Sequence, residues 1–128
     1  MVKNDIRPDI IFWTGDNSPH NVWSNTENEV IDSTVSLTNM IKGTFARMGV
    51  SVYPIQGNHD TWPINFQDFT YPYQNLAINT IGDNWKGWLD PDTLDVYRRH
   101  GYYSQTLKLS DNTKLANTPL TKIIGINT

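Results

Sequence analysis

The sequence predicts an α/β fold, because strand, helix and strand patterns follow one another in its first half. Residues 9–14 and residues 50–55 are apolar almost throughout, as expected for strands that are buried on both faces of a parallel sheet. Between them, apolar residues recur at steps of three or four, which is the spacing of one helix face. This order predicts a βαβ unit, in which both strands end at the same edge of the sheet.

Size and composition restrict the class of protein. With 128 residues, of which 38% are hydrophobic, the chain is long enough for one domain with a modest core. A net charge of −3 argues against nucleic acid as a partner. Cysteine is absent, and this leaves the redox compartment open. Residues 1–6 lack the apolar run of a signal peptide, and no apolar run is long enough to be a transmembrane segment.

The helix of the βαβ unit is predicted to begin at a capping box. Ser24 and Glu27 have the Ser-x-x-Glu spacing in which each side chain caps the backbone of the other residue. Gly49 is a predicted stop for this helix. Its buried face is predicted to consist of Val30, Thr34, Leu37, Ile41, Phe45 and Met48.

Smaller elements follow in the second half of the chain. A helix is predicted over about residues 72–89, and a shorter one is predicted from an N-cap at Asp90-Pro91 to about Arg98. Residues 101–109 alternate as a strand, residues 110–113 resemble a turn, and Lys122 to Ile126 form a further strand. The core candidates of the longer helix are Leu76, Trp85, Trp88 and Leu89. Because a strand is an unusual place for a domain to finish, we expect the chain to be a fragment.

Polar residues stand where the two predicted parallel strands end. Gly15-Asp16-Asn17 follows the first strand, and Gly57-Asn58-His59-Asp60 follows the second. Carboxylate and amide oxygens are hard donors that suit zinc, manganese or iron, and a carboxylate can bridge the two ions of a binuclear hydrolase. The glycines allow a sharp turn close to an ion or a phosphate. The pattern therefore predicts a metal site, although each motif alone is also compatible with a simple turn.

The residues beside these ligands predict acid–base chemistry. His59 is placed to protonate a departing alkoxide, or to stabilise charge on phosphoryl oxygens. Asp60 is predicted to hold the imidazole of His59 in one tautomer. No Gly-x-Gly-x-x-Gly follows either strand, which argues against a Rossmann-type cofactor site.

The two motifs resemble the conserved blocks of the calcineurin-like metallophosphoesterases. Trp13-Thr14-Gly15-Asp16 is similar to the Gly-Asp block, and Gly57-Asn58-His59-Asp60 is similar to the Gly-Asn-His-Asp/Glu block. Their flanks resemble the acid sphingomyelinase-like phosphodiesterases. These flanks are Arg7-Pro8-Asp9, Pro19-His20, Thr61-Trp62-Pro63-Ile64-Asn65-Phe66 and Gly125-Ile126-Asn127-Thr128.

The resemblance implies that residues 1–128 are part of a four-layer α/β/β/α domain that hydrolyses a phosphodiester at a binuclear metal centre. It implies two divalent ions, zinc above all, with Asp16 as the bridging ligand and Asn58 as a ligand of one ion. His59 would contact the phosphate and assist the leaving group, and His20 would play a similar role.

Further expectations come from the same resemblance. Trp62, Asn65 and Phe66 are candidates for lining the substrate pocket, and they are also compatible with plain packing. His100 lacks the Gly-His-x-His context of the family and is expected to have no role. The Asp-x-His block and the later histidine blocks of the family are missing from this chain. We therefore expect the isolated chain to bind metal weakly and to be nearly inactive.

The substrate class stays open between a sphingomyelin-like lipid and a nucleotide phosphoester. A secreted or lysosomal location is implied by the resemblance alone, and the oligomeric state is left open. Two other functions are compatible with the residues. One is a phosphomonoesterase or nucleotidase of the same superfamily, and the other is a non-catalytic, truncated paralogue that acts as a binding module.

Overall fold

The computed structural model of the chain describes residues 8–45, 48–108 and 121–127. The predicted turn over residues 110–113 lies outside these ranges. The described residues form both helices and strands, which fits the predicted α/β class. The elements are β1 (Ile10–Trp13), α1 (Glu27–Phe45), β2 (Ser51–Pro54), α2 (Leu76–Asn84), α3 (Pro91–His100), β3 (Tyr102–Thr106) and β4 (Lys122–Ile126).

The described strands form two pairs. β1 and β2 are parallel, with Ile10 opposite Ser51 and Trp13 opposite Pro54, and α1 connects them in the sequence. β3 and β4 are antiparallel, with Tyr103 opposite Gly125. Because β1 and β2 run in the same direction, the loops that follow them leave the sheet at one edge. The two polar motifs occupy these loops.

The prediction that β1 is buried on both faces is wrong, because the face that carries Phe12 is exposed. The Phe12 side chain is 59% exposed, whereas that of the next residue, Trp13, is buried. Neighbouring residues of a strand point to opposite faces, and the face of Trp13 packs edge-on against the rings of Trp85 and Trp88. A continuous apolar run therefore does not distinguish a strand covered on one face from a strand covered on both.

Helix α1 begins two residues later than its predicted capping box requires. Thr26 and Glu29 form the box, since the Glu29 carboxylate accepts from the Thr26 backbone N–H at 2.8 Å and the Thr26 hydroxyl accepts from the Glu29 N–H at 3.4 Å. The hydrogen bond from the Thr26 backbone also lowers the pKa of Glu29. Ser24 belongs to the preceding 3-10 turn, Val22–Ser24.

The predicted buried face of α1 is largely confirmed. Its members within the helix are buried or half-buried, and Met48 lies beyond the helix end. The buried members are Val30 and Thr34, and the half-buried ones are Leu37, Ile41 and Phe45.

Helix α2 is shorter than predicted at both ends. Its N-cap is Asn75, whose side chain accepts from the Ile78 N–H at 2.9 Å, and Tyr73 has a φ of 68° that no helix allows. The chain turns again at Gly87, where φ is 91°. Leu76, predicted in the core, is 52% exposed, because it lies off the buried face of this helix. The buried residues of the helix are Ala77, Ile78, Ile81 and Gly82.

Helix α3 follows Asp90-Pro91 as predicted, and it extends two residues further than expected. It ends at Gly101, which has a φ of 70° and donates its N–H to the Tyr97 carbonyl at 2.7 Å. The Asp90 carboxylate accepts from Lys108 Nζ at 2.6 Å and makes no side-chain cap.

Aromatic side chains dominate the main hydrophobic cluster. Trp85 and Leu89 are buried there as predicted, and Trp88 packs against its edge. We call the buried members the aromatic core: Trp13, Ile78, Ile81, Trp85, Leu89, Leu94, Tyr97 and Tyr103. In the ranges that the structure describes, no helix is both long enough and apolar enough to cross a membrane.

Candidate functional site

The loops that follow β1 and β2 touch each other backbone to backbone. A Cβ atom on Gly15 would lie 2.0 Å from the backbone nitrogen of Gly57, and one on Gly57 would lie 2.1 Å from Oδ1 of Asp16. Gly15 also has a φ of 78°, which side chains disfavour. The glycines were predicted to let the backbone approach an ion or a phosphate, whereas the structure shows them bringing the two loops together. We call residues 15–17 and 57–60 the loop junction.

The buried carboxylate of Asp60 joins the two loops of this junction. The residue is 0% exposed. Its Oδ2 accepts from the backbone N–H groups of Asp16 at 2.7 Å and Gly57 at 2.9 Å. Its Oδ1 accepts from the backbone and side chain of Asn17, at 2.9 and 3.0 Å, and more weakly from the Thr34 hydroxyl at 3.4 Å.

These bonds correct the predicted partner of Asp60. A carboxylate oxygen has two lone pairs, and both oxygens of Asp60 are already supplied with donors. The partners are the main chain around Asp16 and the side chains of Asn17 and Thr34, where the sequence predicted the imidazole of His59. Asp60 therefore fixes the backbone of the candidate ligand Asp16.

Asp16 lies at the centre of the loop junction. Its backbone has a φ of 59°, a left-handed conformation that Asp tolerates better than most residues. Its Oδ1 accepts from the backbone N–H of His59 at 3.1 Å. The carboxylate thus meets the second motif directly, as the convergence of the two strand ends requires.

Asn58 stands in the short 3-10 turn Asn58–Asp60 after β2. Its Nδ2 donates to Oδ1 of Asn65 at 2.6 Å, and the Asn65 backbone N–H donates to the Asn58 carbonyl at 3.1 Å. Because a carboxamide has one oxygen and one NH2 group, this contact occupies the nitrogen end and leaves Oδ1 for another partner.

The two candidate catalytic histidines are neighbours. The rings of His20 and His59 meet edge to face, with centroids 4.7 Å apart and planes at 82°. His59 is half-buried and His20 is exposed. The backbone N–H of His59 donates to Asp16, so the turn that carries His59 contacts the candidate metal ligand.

Gln56 and Tyr97 support the second loop from below, and sequence reasoning missed both. The buried Gln56 donates from Nε2 to the Asp60 carbonyl at 2.8 Å and accepts from the Tyr97 hydroxyl. Burial, and after it the nearby Asp60 carboxylate, raises the pKa of Tyr97 well above its usual value. The signal in the sequence was a glutamine between an apolar strand and a glycine, which is costly to bury without partners.

A cleft of about 450 Å³ opens beside Asn58. Its lining is made of amide, hydroxyl and phenyl side chains: Asn58, Thr61, Asn65, Phe66, Gln67, Phe69 and Asn127. Asn127 directly follows β4. It is a polar residue at the end of a strand, which is the same sequence pattern that indicated Asp16 and Asn58.

Of the candidate pocket residues, Asn65 and Phe66 line this cleft and Trp62 does not. The indole N–H of Trp62 donates to the Asn25 carbonyl at 3.2 Å, which directs the ring toward the start of α1. His100 stacks on Tyr102, with ring centroids 5.4 Å apart.

The described residues fit part of a metal site. Asp16 and Asn58 offer hard oxygen donors, which suit a divalent cation. Within residues 8–45, 48–108 and 121–127, however, no group of three or more His, Cys, Asp or Glu side chains could hold a metal ion. Catalytic zinc sites take three protein ligands. Asp16 and Asn58 therefore represent a fraction of a complete ligand set.

Comparison with known proteins identifies the family. The model of the calcineurin-like phosphoesterases matches residues 1–123. The chain belongs to this family. The family predicted from the two motifs and their flanks is thus confirmed, and its divalent-metal chemistry agrees with the oxygen donors of the loop junction.

Relatives within the family are acid sphingomyelinase-like. Sphingomyelin phosphodiesterase A of Dictyostelium discoideum is 35% identical over 100 residues, which are 78% of this chain and 16% of that protein. Cyclic GMP-AMP phosphodiesterase SMPDL3A of Bos taurus is 34% identical over 119 residues, 92% of this chain and 24% of that protein. Acid sphingomyelinase-like phosphodiesterase 3b of Mus musculus is 35% identical over 109 residues, 84% of this chain and 23% of that protein. The chain thus spans less than a quarter of the length of these relatives.

Proposed function

We propose that the protein containing this chain hydrolyses a phosphodiester at a centre that binds two divalent metal ions, with zinc as the preferred metal. The observation that supports this most directly is the loop junction. There the Asp16 carboxylate accepts from the backbone N–H of His59 at 3.1 Å. Asn58 follows β2 as Asp16 follows β1. The named activities of the relatives, which cleave phosphodiesters, support the same reaction class.

Asp16 and Asn58 are the proposed metal ligands of this chain. Asp16 offers a carboxylate that can bridge two ions, and Asn58 offers a neutral oxygen that leaves more of the positive charge uncancelled. When bound, the ions would supply Lewis acidity at the phosphoryl oxygens and lower the pKa of a bound water. Asp60 contributes by fixing the backbone of Asp16 through the 2.7 Å hydrogen bond.

His59 and His20 are the proposed acid–base pair. An imidazole can donate a proton to a leaving alkoxide near neutral pH, and a protonated imidazole stabilises charge on phosphoryl oxygens. The two rings meet edge to face, and the backbone N–H of His59 contacts the Asp16 carboxylate. One ring can therefore serve the leaving group while the other serves the phosphate.

The substrate is proposed to be a sphingomyelin-like lipid or a nucleotide phosphoester. The cleft beside Asn58 combines amide groups with the phenyl rings of Phe66 and Phe69, and such a lining accepts a base or a lipid headgroup. A four-layer α/β/β/α domain, with the β1–β2 pair presenting the motif loops, and a secreted or lysosomal location are part of the same proposal. The remaining ligands would come from outside this chain, so the isolated chain is proposed to bind metal weakly and turn over little.

The test compares diester and monoester turnover by the complete gene product in the presence of zinc. We expect bis(p-nitrophenyl) phosphate to be cleaved faster than p-nitrophenyl phosphate. His59→Ala is expected to lower kcat by about 10² or more, as for loss of a general acid. His100→Ala is the matched control and is expected to leave kcat within about twofold, since exposed substitutions away from a site have small effects.

Three other outcomes would contradict the proposal, each in a different way. Faster cleavage of the monoester would favour a phosphomonoesterase or nucleotidase. Absence of turnover for both esters, in a folded and zinc-loaded protein, would favour a non-catalytic binding module. Robust turnover by the isolated 128-residue chain would contradict the proposal that its ligand set is incomplete.

A further inference from the structure

We infer that Asn65 is a positioning residue that holds the Asn58 side chain with its oxygen toward the metal. The inference rests on the proposed function, because it takes Asn58 to be a ligand. Asn65 was predicted to line the substrate pocket, and it does border the cleft. Its contact with Asn58 assigns it a second task at the same site.

The contact between these two residues is double. Asn65 Oδ1 accepts from Nδ2 of Asn58 at 2.6 Å, and the Asn65 backbone N–H donates to the Asn58 carbonyl at 3.1 Å. The backbone hydrogen bond fixes the distance between the main-chain atoms of Asn58 and those of Asn65. The side-chain bond can then act on one degree of freedom, the rotation of the Asn58 carboxamide.

That rotation matters because the two ends of a carboxamide have opposite polarity. The oxygen binds a cation, whereas the NH2 group repels it, so a half-turn converts a ligand into an obstacle. An acceptor held against Nδ2 selects the orientation in which Oδ1 is free. The side-chain oxygen of Asn65 is such an acceptor. Residues that hydrogen-bond to a metal ligand in this way commonly tune metal affinity.

The backbone of Asn65 restricts which residues can do this. Its φ is 61°, in the left-handed region, where Gly is unstrained and Asn and Asp are tolerated. Asp keeps both the backbone and an acceptor oxygen, whereas Gly keeps the backbone and removes the acceptor. Asn65→Gly and Asn65→Asp therefore form a matched pair that separates the side-chain bond from the turn.

The test measures zinc affinity of the complete gene product by competition with a chromophoric chelator, a readout that does not depend on turnover. We expect Asn65→Gly to raise the zinc Kd about tenfold, the lower end for loss of a residue that orients a ligand. Asn65→Asp is expected to bind zinc at least as tightly as the parent protein. Equal Kd values for the parent and Asn65→Gly would overturn the inference.

A double-mutant cycle with Asn58→Ala distinguishes positioning from a general structural role. If Asn65 acts through Asn58, Asn65→Gly has no further effect on the zinc Kd once Asn58 is alanine. A tenfold effect that persists in the Asn58→Ala background would overturn the inference while leaving the ligand assignment intact. If Asn58→Ala alone leaves the Kd unchanged, the ligand assignment of the proposed function fails, and the inference fails with it.

Discussion

The loop junction and the aromatic core are neighbouring regions that are stabilised by different means. At the junction, one buried carboxylate, that of Asp60, accepts hydrogen bonds from two loops and from α1. In the core, large rings such as Trp85 and Tyr97 pack against each other, with centroids 5.0 Å apart. The regions are linked by the indole N–H of Trp13, which donates to Asn17 at 3.0 Å, and by the hydroxyl of Tyr97, which donates to Gln56.

This difference indicates that the aromatic core contributes most to the stability of the fold, whereas the loop junction fixes the positions of the candidate site residues. Apolar packing is roughly proportional to buried area and is not directional, so it stabilises the fold without fixing individual atoms. Hydrogen bonds to a carboxylate are directional, and they fix the main chain of Asp16 and Gly57. Damage to the core should therefore lower stability most, and damage to the junction should lower metal affinity as well.

The largest loss of stability is expected from Trp85→Ala. Trp85 is fully buried in the aromatic core, and removing a buried Trp side chain costs about 3–5 kcal/mol. Denaturant unfolding measures the change in the free energy of unfolding. Trp23→Ala is the control, because Trp23 is 86% exposed and its loss should change that free energy by about 0.5 kcal/mol or less. Similar losses for both variants would contradict the comparison.

Gly15→Ala is expected to come next and to affect the junction. Its Cβ would lie 2.0 Å from the Gly57 nitrogen, and its φ of 78° adds backbone strain, so we expect a loss of about 2–4 kcal/mol. Gly43→Ala should have the opposite sign. A Cβ on Gly43, within α1, meets nothing within 4 Å, and alanine stabilises a helix interior by about 0.5–1 kcal/mol. Thermal unfolding of the two variants checks both signs.

Asp60→Asn should cost slightly less stability than Gly15→Ala and should reveal the directional bonds. The new NH2 group would face N–H donors, so we expect a loss of about 2–3 kcal/mol. Asp32→Asn, on the exposed surface of α1, is the matched control and should be close to neutral. Amide chemical shifts of Asp16 and Gly57 report the junction directly. Unchanged shifts in Asp60→Asn would show that the carboxylate does not position these loops.

The smallest effect concerns pH at the border between the two regions. Tyr103 donates its hydroxyl to the Pro54 carbonyl at 2.8 Å, and burial, followed by the neighbouring Tyr53, raises its pKa. The unfolded chain loses the tyrosine proton near pH 10, whereas the folded protein keeps it, so stability falls as pH rises above 10. Tyr103→Phe should reduce the fall between pH 10 and 11 by about 1 kcal/mol. The free energy of unfolding is measured by urea titration at each pH. An equal fall of this free energy with pH in both proteins would contradict the prediction.

The sequence predicted the convergence of the two motifs because that step depends on local patterns alone. Two apolar runs separated by a helical pattern imply parallel strands, and parallel strands end at one edge. Asp16 and His59 are in contact for this reason. The boundary errors were also local. Ser24 and Thr26 both begin a plausible capping box, and the pattern could not rank one above the other.

The bonds within the site could not be predicted in the same way. The donors around the Asp60 carboxylate include the backbone N–H groups of Asp16 and Asn17, 44 and 43 residues away in the chain, and backbone groups leave no signature in a sequence. The orientation of Trp62 toward Asn25, and the exposure of Phe12 and Leu76, depend on which neighbours cover each face. Periodicity identifies a face but not the element that covers it.

The contact between Gly15 and Gly57 has a consequence for protein engineering. Random libraries should keep glycine at positions 15 and 57, because a side chain on either glycine collides with the opposite loop. A segment grafted from a homologue should likewise carry glycine at these positions. Variation is better begun at positions 66 and 67, which border the cleft and lie outside the loop junction.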